Sequence, residues 1–179
     1  MAHELSWKFP VVVAGLPDDG KDFRLLPDEA ARNSLAQHAG VLAIPALEAR
    51  LHVRPDGGGG ATVAGTMQGA VTQNCVVTLE PFDNPISDEI SLRFAPPEAI
   101  AQESDGLIEI GADDPPDPLV GGALDLAAVV AEFLALAIDP YPRRPGAVFT
   151  PPGEDTARPE SSPFAALAKL SGRQSDKNG

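Results

Sequence analysis

The chain has 179 residues, with 13 Lys and Arg against 26 Asp and Glu, a formal net charge of −13 and a sequence pI of about 4.4. This length supports one domain, an acidity of this size disfavours broad non-specific binding to nucleic-acid phosphates, and no apolar run approaches the roughly 18 residues of a membrane-spanning helix. A single cysteine, Cys75, excludes an internal disulfide framework, and Met1-Ala2-His3-Glu4 lacks the basic region and apolar stretch of a secretory signal, so a cytoplasmic location is expected.

In chain order, the first signal is the apolar run Val11-Val12-Val13, followed by Gly15-Leu16-Pro17-Asp18-Asp19-Gly20-Lys21. That segment has the GxxxxGK spacing of a phosphate-binding loop. However, Asp22 stands where Ser or Thr should ligate magnesium, two aspartates face the phosphates, and no long helix follows, so a surface turn between two strands is expected. Pro27-Asp28-Glu29 opens a short alanine-rich helix, with acids at its positive end and Gly40 at its C′ position. Leu47, Ala49, Leu51 and Val53 then alternate with Glu48, Arg50, His52 and Arg54, the period-2 pattern of a half-buried strand. Asp56-Gly57-Gly58-Gly59-Gly60 reads as a hairpin tip.

From 62 to 80 the odd positions Val63, Gly65, Met67, Gly69, Val71, Cys75, Val77 and Leu79 are apolar or small, and only Gln73 clearly breaks that face. Nineteen residues far exceed a typical strand of roughly 5 to 6. A bend or bulge near Gly65 or Gly69, or a break near Gln73-Asn74, is therefore expected, together with a curl towards a barrel. A turn is expected at Pro81-Phe82-Asp83-Asn84-Pro85, then a strand facing inward through Ile86, Ile90, Leu92 and Phe94. A helix from Asp125, its N-cap, to Ile138 is apolar around most of its circumference, Leu136 included. It leaves the stripe Asp125, Ala128, Glu132, Ala135, Asp139 for water or a partner, and Pro140 ends it. The fold class is thus α+β: a curled, open-barrel-like antiparallel sheet packed on one long apolar helix and one shorter helix. Residues 1–149 form the domain, and residues 150–179 form a flexible proline-rich linker and tail. Within that tail, Ser162 to Leu170 suits a short amphipathic helix anchored by Phe164, Leu167 and Leu170.

Charge is concentrated in one third of the chain: residues 82–139 hold thirteen acids and a single base, Arg93, including Asp113, Asp114 and Asp117 in a proline-rich connection. A segment so negative attracts cationic proteins. Arg143 and Arg144 stand apart in a proline-braced loop, where stiffness lowers the cost of presenting two guanidinium groups to an RNA phosphate. The same pair could instead bind nearby carboxylates or the negative end of the preceding helix. Searches for chemistry find little. His3, His38 and His52 are scattered, and one cysteine cannot close a structural zinc site. Cys75 reads as a packed strand residue with no neighbouring base to activate it, and no GxSxG or HExxH motif is present. Glu132 fits an exposed helix face better than a buried functional carboxylate. No metal or cofactor is expected.

Three stretches together resemble the YceD family: Val71-Thr72-Gln73-Asn74-Cys75-Val76-Val77-Thr78-Leu79-Glu80-Pro81, then Asp113-Asp114-Pro115-Pro116-Asp117-Pro118, then Leu124-Asp125-Leu126 with Glu132 and Leu136-Ala137-Ile138-Asp139-Pro140-Tyr141-Pro142-Arg143-Arg144-Pro145-Gly146. The tail piece Pro163 to Leu170 is similar to a motif that often ends such proteins, and the alanine-rich, acidic composition is similar to alphaproteobacterial members. On this resemblance Gln73, Cys75, Asp125, Glu132, Pro140, Tyr141 and Pro142 are motif positions. Some relatives carry a second cysteine three positions after the first, where this chain has Thr78. The resemblance implies a non-enzymatic factor supporting synthesis, processing or stability of 23S ribosomal RNA during large-subunit assembly. Its partner would be a basic large-subunit ribosomal protein, the 23S precursor, or both. The alternative from another class is a metal-dependent hydrolase or RNA-processing enzyme built on clustered carboxylates.

Overall fold

A computed structural model describes residues 6–103 and 115–149. The chain divides into two units, Met1–Ala147 and Val148–Gly179, and the architecture that follows belongs to the first. Asp113, Asp114 and the tail positions Phe164, Leu167 and Leu170, with the helix expected at 162–170, lie outside the described residues.

The elements run β1 (Pro10–Val12), β2 (Lys21–Leu25), α1 (Glu29–Ala39), β3 (Ala43–Pro55), β4 (Ala61–Asn74), β5 (Pro81–Ala95), α2 (Pro97–Glu103), β6 (Asp117–Pro118), β7 (Ala123–Asp125) and α3 (Leu126–Ala137). β2 to β6 form one five-stranded sheet in chain order, antiparallel except for the short parallel β5/β6 pair, and β1 pairs separately with β7. The class is α+β as expected. The curl is not: the sheet is open, with β2 and β6 as its edges, and it does not approach a barrel. The helices differ from expectation too, since α3 has 12 residues against 11 in α1, and α2 was not anticipated.

The expectation of curvature rested on Gly65 and Gly69, and their structural reason is different. β4 runs unbroken past both, paired with β3 on one side and β5 on the other. A Cβ on Gly65 would overlap the Arg50 carbonyl oxygen, and one on Gly69 would overlap that of Ala46. These glycines let β3 approach closely; they do not turn the strand. The irregularity sits on β3, where three steps from Ala43 to Ala46 oppose two from Thr72 to Ala70. That bulge contains Pro45, which has no N–H to give a regular ladder.

Alternation sorts β3 and β4 as the pattern demands. Leu47, Ala49, Leu51, Val53, Val63, Met67 and Val71 are buried, and Leu35 of α1 and Leu126, Val130 and Leu134 of α3 join them in one core. The outer face is polar. Across it Glu48 accepts from Arg24 at 2.9 Å and from Arg50 at 2.6 Å, and these guanidinium groups hold its carboxyl down at about 2. His52 meets Asp22 at 2.7 Å, which raises the imidazole pKa. The GxxxxGK segment is the expected turn, a short 3-10 turn at Val13–Gly15 leading into β2, with no helix after it.

Both main helices start and stop on local chemistry. Asp28 accepts from the Ala31 N–H at 2.8 Å to cap α1, and Gly40, at φ 70°, ends it in the left-handed conformation that a C′ glycine adopts without strain. Asp125 caps α3 through the Ala127 N–H at 3.1 Å. Its Oδ1 also accepts from the Phe9 N–H at 2.8 Å, and Lys8 Nζ lies 3.6 Å from Oδ2. One carboxylate thus joins the β1/β7 pair to the helix. Asp125→Ala is expected to cost about 2 kcal/mol, the loss of a cap plus a part-buried N–H left without an acceptor, whereas Asp125→Asn should retain most of that stability. Urea denaturation of the two variants checks this.

Candidate functional site

β4 ends at Asn74, so of the expected alternatives it is the break near Gln73-Asn74 that occurs, and Cys75, read as a packed strand residue, lies beyond it with Val77 and Leu79. The turn is at residues 75–80, and the expected turn at 81–85 is instead the start of β5. Period-2 spacing could not separate these cases, because Val76-Val77 suits a strand by propensity while the closing bonds are local. The Leu79 N–H donates to the Cys75 carbonyl at 2.8 Å, and the Cys75 N–H donates to the Glu80 carbonyl at 2.9 Å. Leu79 therefore occupies the left-handed position that ends a single helical turn, with φ 61°. Pro81 and Pro85 are tolerated because β5 pairs on its far side only at Phe94 and Ala95.

The segment after α3 lies against this turn. Pro140 and the extended Ile138 end the helix, and the Asp139 side chain accepts from the Tyr141 N–H at 2.8 Å. Four bonds then join the two segments. Gln73 Nε2 donates to the Asp139 carbonyl at 2.9 Å, and the Val76 N–H to the Pro142 carbonyl at 2.9 Å. The Arg144 N–H donates to Cys75 Sγ at 3.4 Å, and Arg144 Nη1 to Glu80 Oε2 at 2.8 Å. Prolines 140, 142 and 145 restrict the same loop. Gln73, the residue that breaks the apolar face of β4, is thus the tie to the end of α3, and its side-chain Oε1 accepts from Asn84 Nδ2 at 3.5 Å.

Cys75 is fully buried beneath the loop, in the turn and not on a strand face. Its pKa is nonetheless lowered to about 7, without a basic side chain among the causes. The Arg144 backbone N–H is the main cause, Thr78 and the Val77 N–H add to it, and burial opposes it. The largest contribution comes from a peptide N–H group, which leaves no trace in side-chain composition.

Of the positions singled out in the sequence, Gln73, Cys75, Pro140, Tyr141, Pro142, Arg143 and Arg144 come together here. Pro142 is buried, whereas Pro140, Tyr141 and Arg143 are exposed. The arginine pair is divided: Arg144 braces the turn through Glu80, and Arg143 faces solvent. Asp125, the last residue of β7, and Glu132 of α3 lie elsewhere, with Glu132 exposed beside Ala128 and Ala135 as the stripe predicts. Leu136, expected to be part of the apolar circumference, is 72% exposed. Asp117 is also exposed but pairs with Phe94, at the other end of β5 from Phe82, the partner of Gln73. Leu79 and Glu80 belong to the site and are not among the candidate site residues of the sequence, which marks Thr78 only as the place of a second cysteine in some relatives. Among the described residues no group of three or more His, Cys, Asp or Glu could hold a metal ion, and no helix is long and apolar enough to cross a membrane.

The fold and site define a small α+β domain whose distinctive residues lock two distant segments into one surface-exposed loop pair. A family model described as large ribosomal RNA subunit accumulation protein YceD matches residues 63–171, and the chain belongs to the YceD family. The match begins in β4, takes in both halves of the locked loop pair, and extends past Leu170. No curated protein and no solved structure matches the chain.

Proposed function

We propose that this protein is a non-enzymatic, cytoplasmic factor that supports synthesis, processing or stability of 23S ribosomal RNA during large-subunit assembly. The family ties its members to accumulation of this RNA. The observation that carries the non-enzymatic reading is the use made of the motif residues: Gln73, Cys75, Pro142 and Arg144 spend their hydrogen bonds on bracing one loop against another, the signature of a presented surface. With a net charge of −13, a wide grip on RNA phosphates is disfavoured, so contact with the precursor runs mainly through a basic ribosomal protein. Arg143 supplies a single local phosphate contact. The acids of residues 82–139, Asp113, Asp114 and Asp117 among them, add long-range attraction for the cationic partner.

Cells lacking the protein are expected to hold less large-subunit than small-subunit ribosomal RNA, and the tagged full chain should co-sediment with large-subunit precursors. An unchanged RNA ratio, or a chain that stays at the top of the gradient, would overturn this function.

A further inference from the structure

The locked loops hold large apolar side chains out in solvent. Leu79 is 77% exposed, Tyr141 74%, and Val76 43%. The bond from the Val76 N–H to the Pro142 carbonyl holds the turn against the loop that carries Tyr141, and Leu79 sits in the same turn as Val76. Leu136 is one helical turn before Asp139, whose carbonyl is tied to Gln73. Apolar side chains in such numbers gain nothing from this fold, and a partner that buries them recovers the hydrophobic contribution.

Leu79 adds a second observation. Among the described residues it is the one non-glycine residue with positive φ, in a position that glycine or asparagine normally fills. A leucine there is disfavoured by the backbone and buries little within the domain. Strain retained at an exposed side chain, inside the family-matched segment, marks a functional contact.

Resting on the assembly-factor reading, we propose that Leu79 and Tyr141 anchor a docking surface for a cationic protein segment carrying aliphatic side chains. Charge selects this occupant over RNA. Arg144 is neutralised by Glu80, the exposed Arg143 is outnumbered by Glu132 on the exposed face of α3 and Asp139 just past its end, which flank Leu136, and the chain as a whole is strongly negative. Aliphatic anchors bury against aliphatic side chains, and a rigid tyrosine set among them is a typical interface anchor. A rim of carboxylates then favours lysine and arginine on the partner.

The test uses the full chain, individually purified basic proteins of the large subunit, and deproteinised large-subunit RNA. Leu79→Gly removes the side chain while placing the residue that the left-handed φ suits, so its thermal midpoint should equal or exceed the parent's. It and Tyr141→Ala should each weaken binding to a basic large-subunit protein at least tenfold and leave RNA affinity unchanged. No binding by the parent chain, undiminished binding by both variants, or concentration-dependent self-association abolished by them would overturn the proposal. So would loss of RNA affinity in place of protein affinity. If these results appear while the chain still co-sediments with precursors, the docking surface fails and the assembly role stands. If co-sedimentation is absent from the start, the assembly role itself fails.

Discussion

Gly65→Ala is expected to be the most damaging single substitution of a non-core residue in the domain, costing about 3 kcal/mol of folding stability. The new Cβ would fall on the Arg50 carbonyl oxygen and within 2.9 Å of the Leu51 Cα, and neither can yield as a side-chain tip can. Both belong to β3, whose pairing with β4 extends from Ala43↔Thr72 to Pro55↔Ala61, so relief requires opening the centre of the sheet. A bend at Gly65 would have made alanine far less harmful, which makes this variant a direct discriminator between close approach and curvature. Ala64→Ser, one residue away on the exposed face, should stay within about 0.5 kcal/mol. Thermal and urea unfolding of the pair measure the difference.

Leu134→Ala should destabilise by about 3 kcal/mol through a different mechanism. Leu134 is 1% exposed on the buried side of α3, in the core shared with the sheet. Truncation there loses the transfer free energy of the removed methyl groups and leaves a cavity that a helix pinned at Asp125 cannot collapse. Glu132→Ala, on the exposed face of the same helix, removes no core contact and should shift the urea midpoint very little. The slope of the urea transition should be the same in both, since neither changes the surface exposed on unfolding. A large effect of Glu132→Ala would instead show that its carboxylate is structural.

What was legible in the sequence was whatever depends on neighbours a few residues apart. The caps at Asp28 and Asp125 and the stop at Gly40 follow from side-chain and backbone chemistry within one helical turn. The inward residues of β3 and β4 follow from the pleat, and the exposed stripe through Glu132 from helical period. The family resemblance likewise lay in linear motifs, and it pointed to the correct family. The end of β4 was legible only as one alternative, the break at Gln73-Asn74: Cys75, Val77 and Leu79 keep the spacing of a strand while the chain turns, because a turn closed by backbone bonds places no demand on side-chain order. The same limit applied to Leu136, whose apolar character matches the buried face although its position on α3 looks outward.

Tertiary structure alone decided the site. Arg144 lies 69 positions from the sulfur its N–H reaches, and Gln73 lies 66 positions from the carbonyl it holds. No local pattern assigns such partners, and the lowered thiol pKa of Cys75 arises mainly from a peptide group that every residue but proline carries. The role of Gly65 was likewise invisible without the β3/β4 register, since a glycine that bends a strand and one that admits a neighbouring backbone are identical in sequence. Composition, period and caps thus determined by themselves that this is an acidic α+β domain with a capped apolar helix, because those properties are local sums. Packing decided that its sheet stays open and that two remote loops lock around Cys75 to hold Leu79 and Tyr141 in solvent, because those outcomes depend on which distant backbones meet.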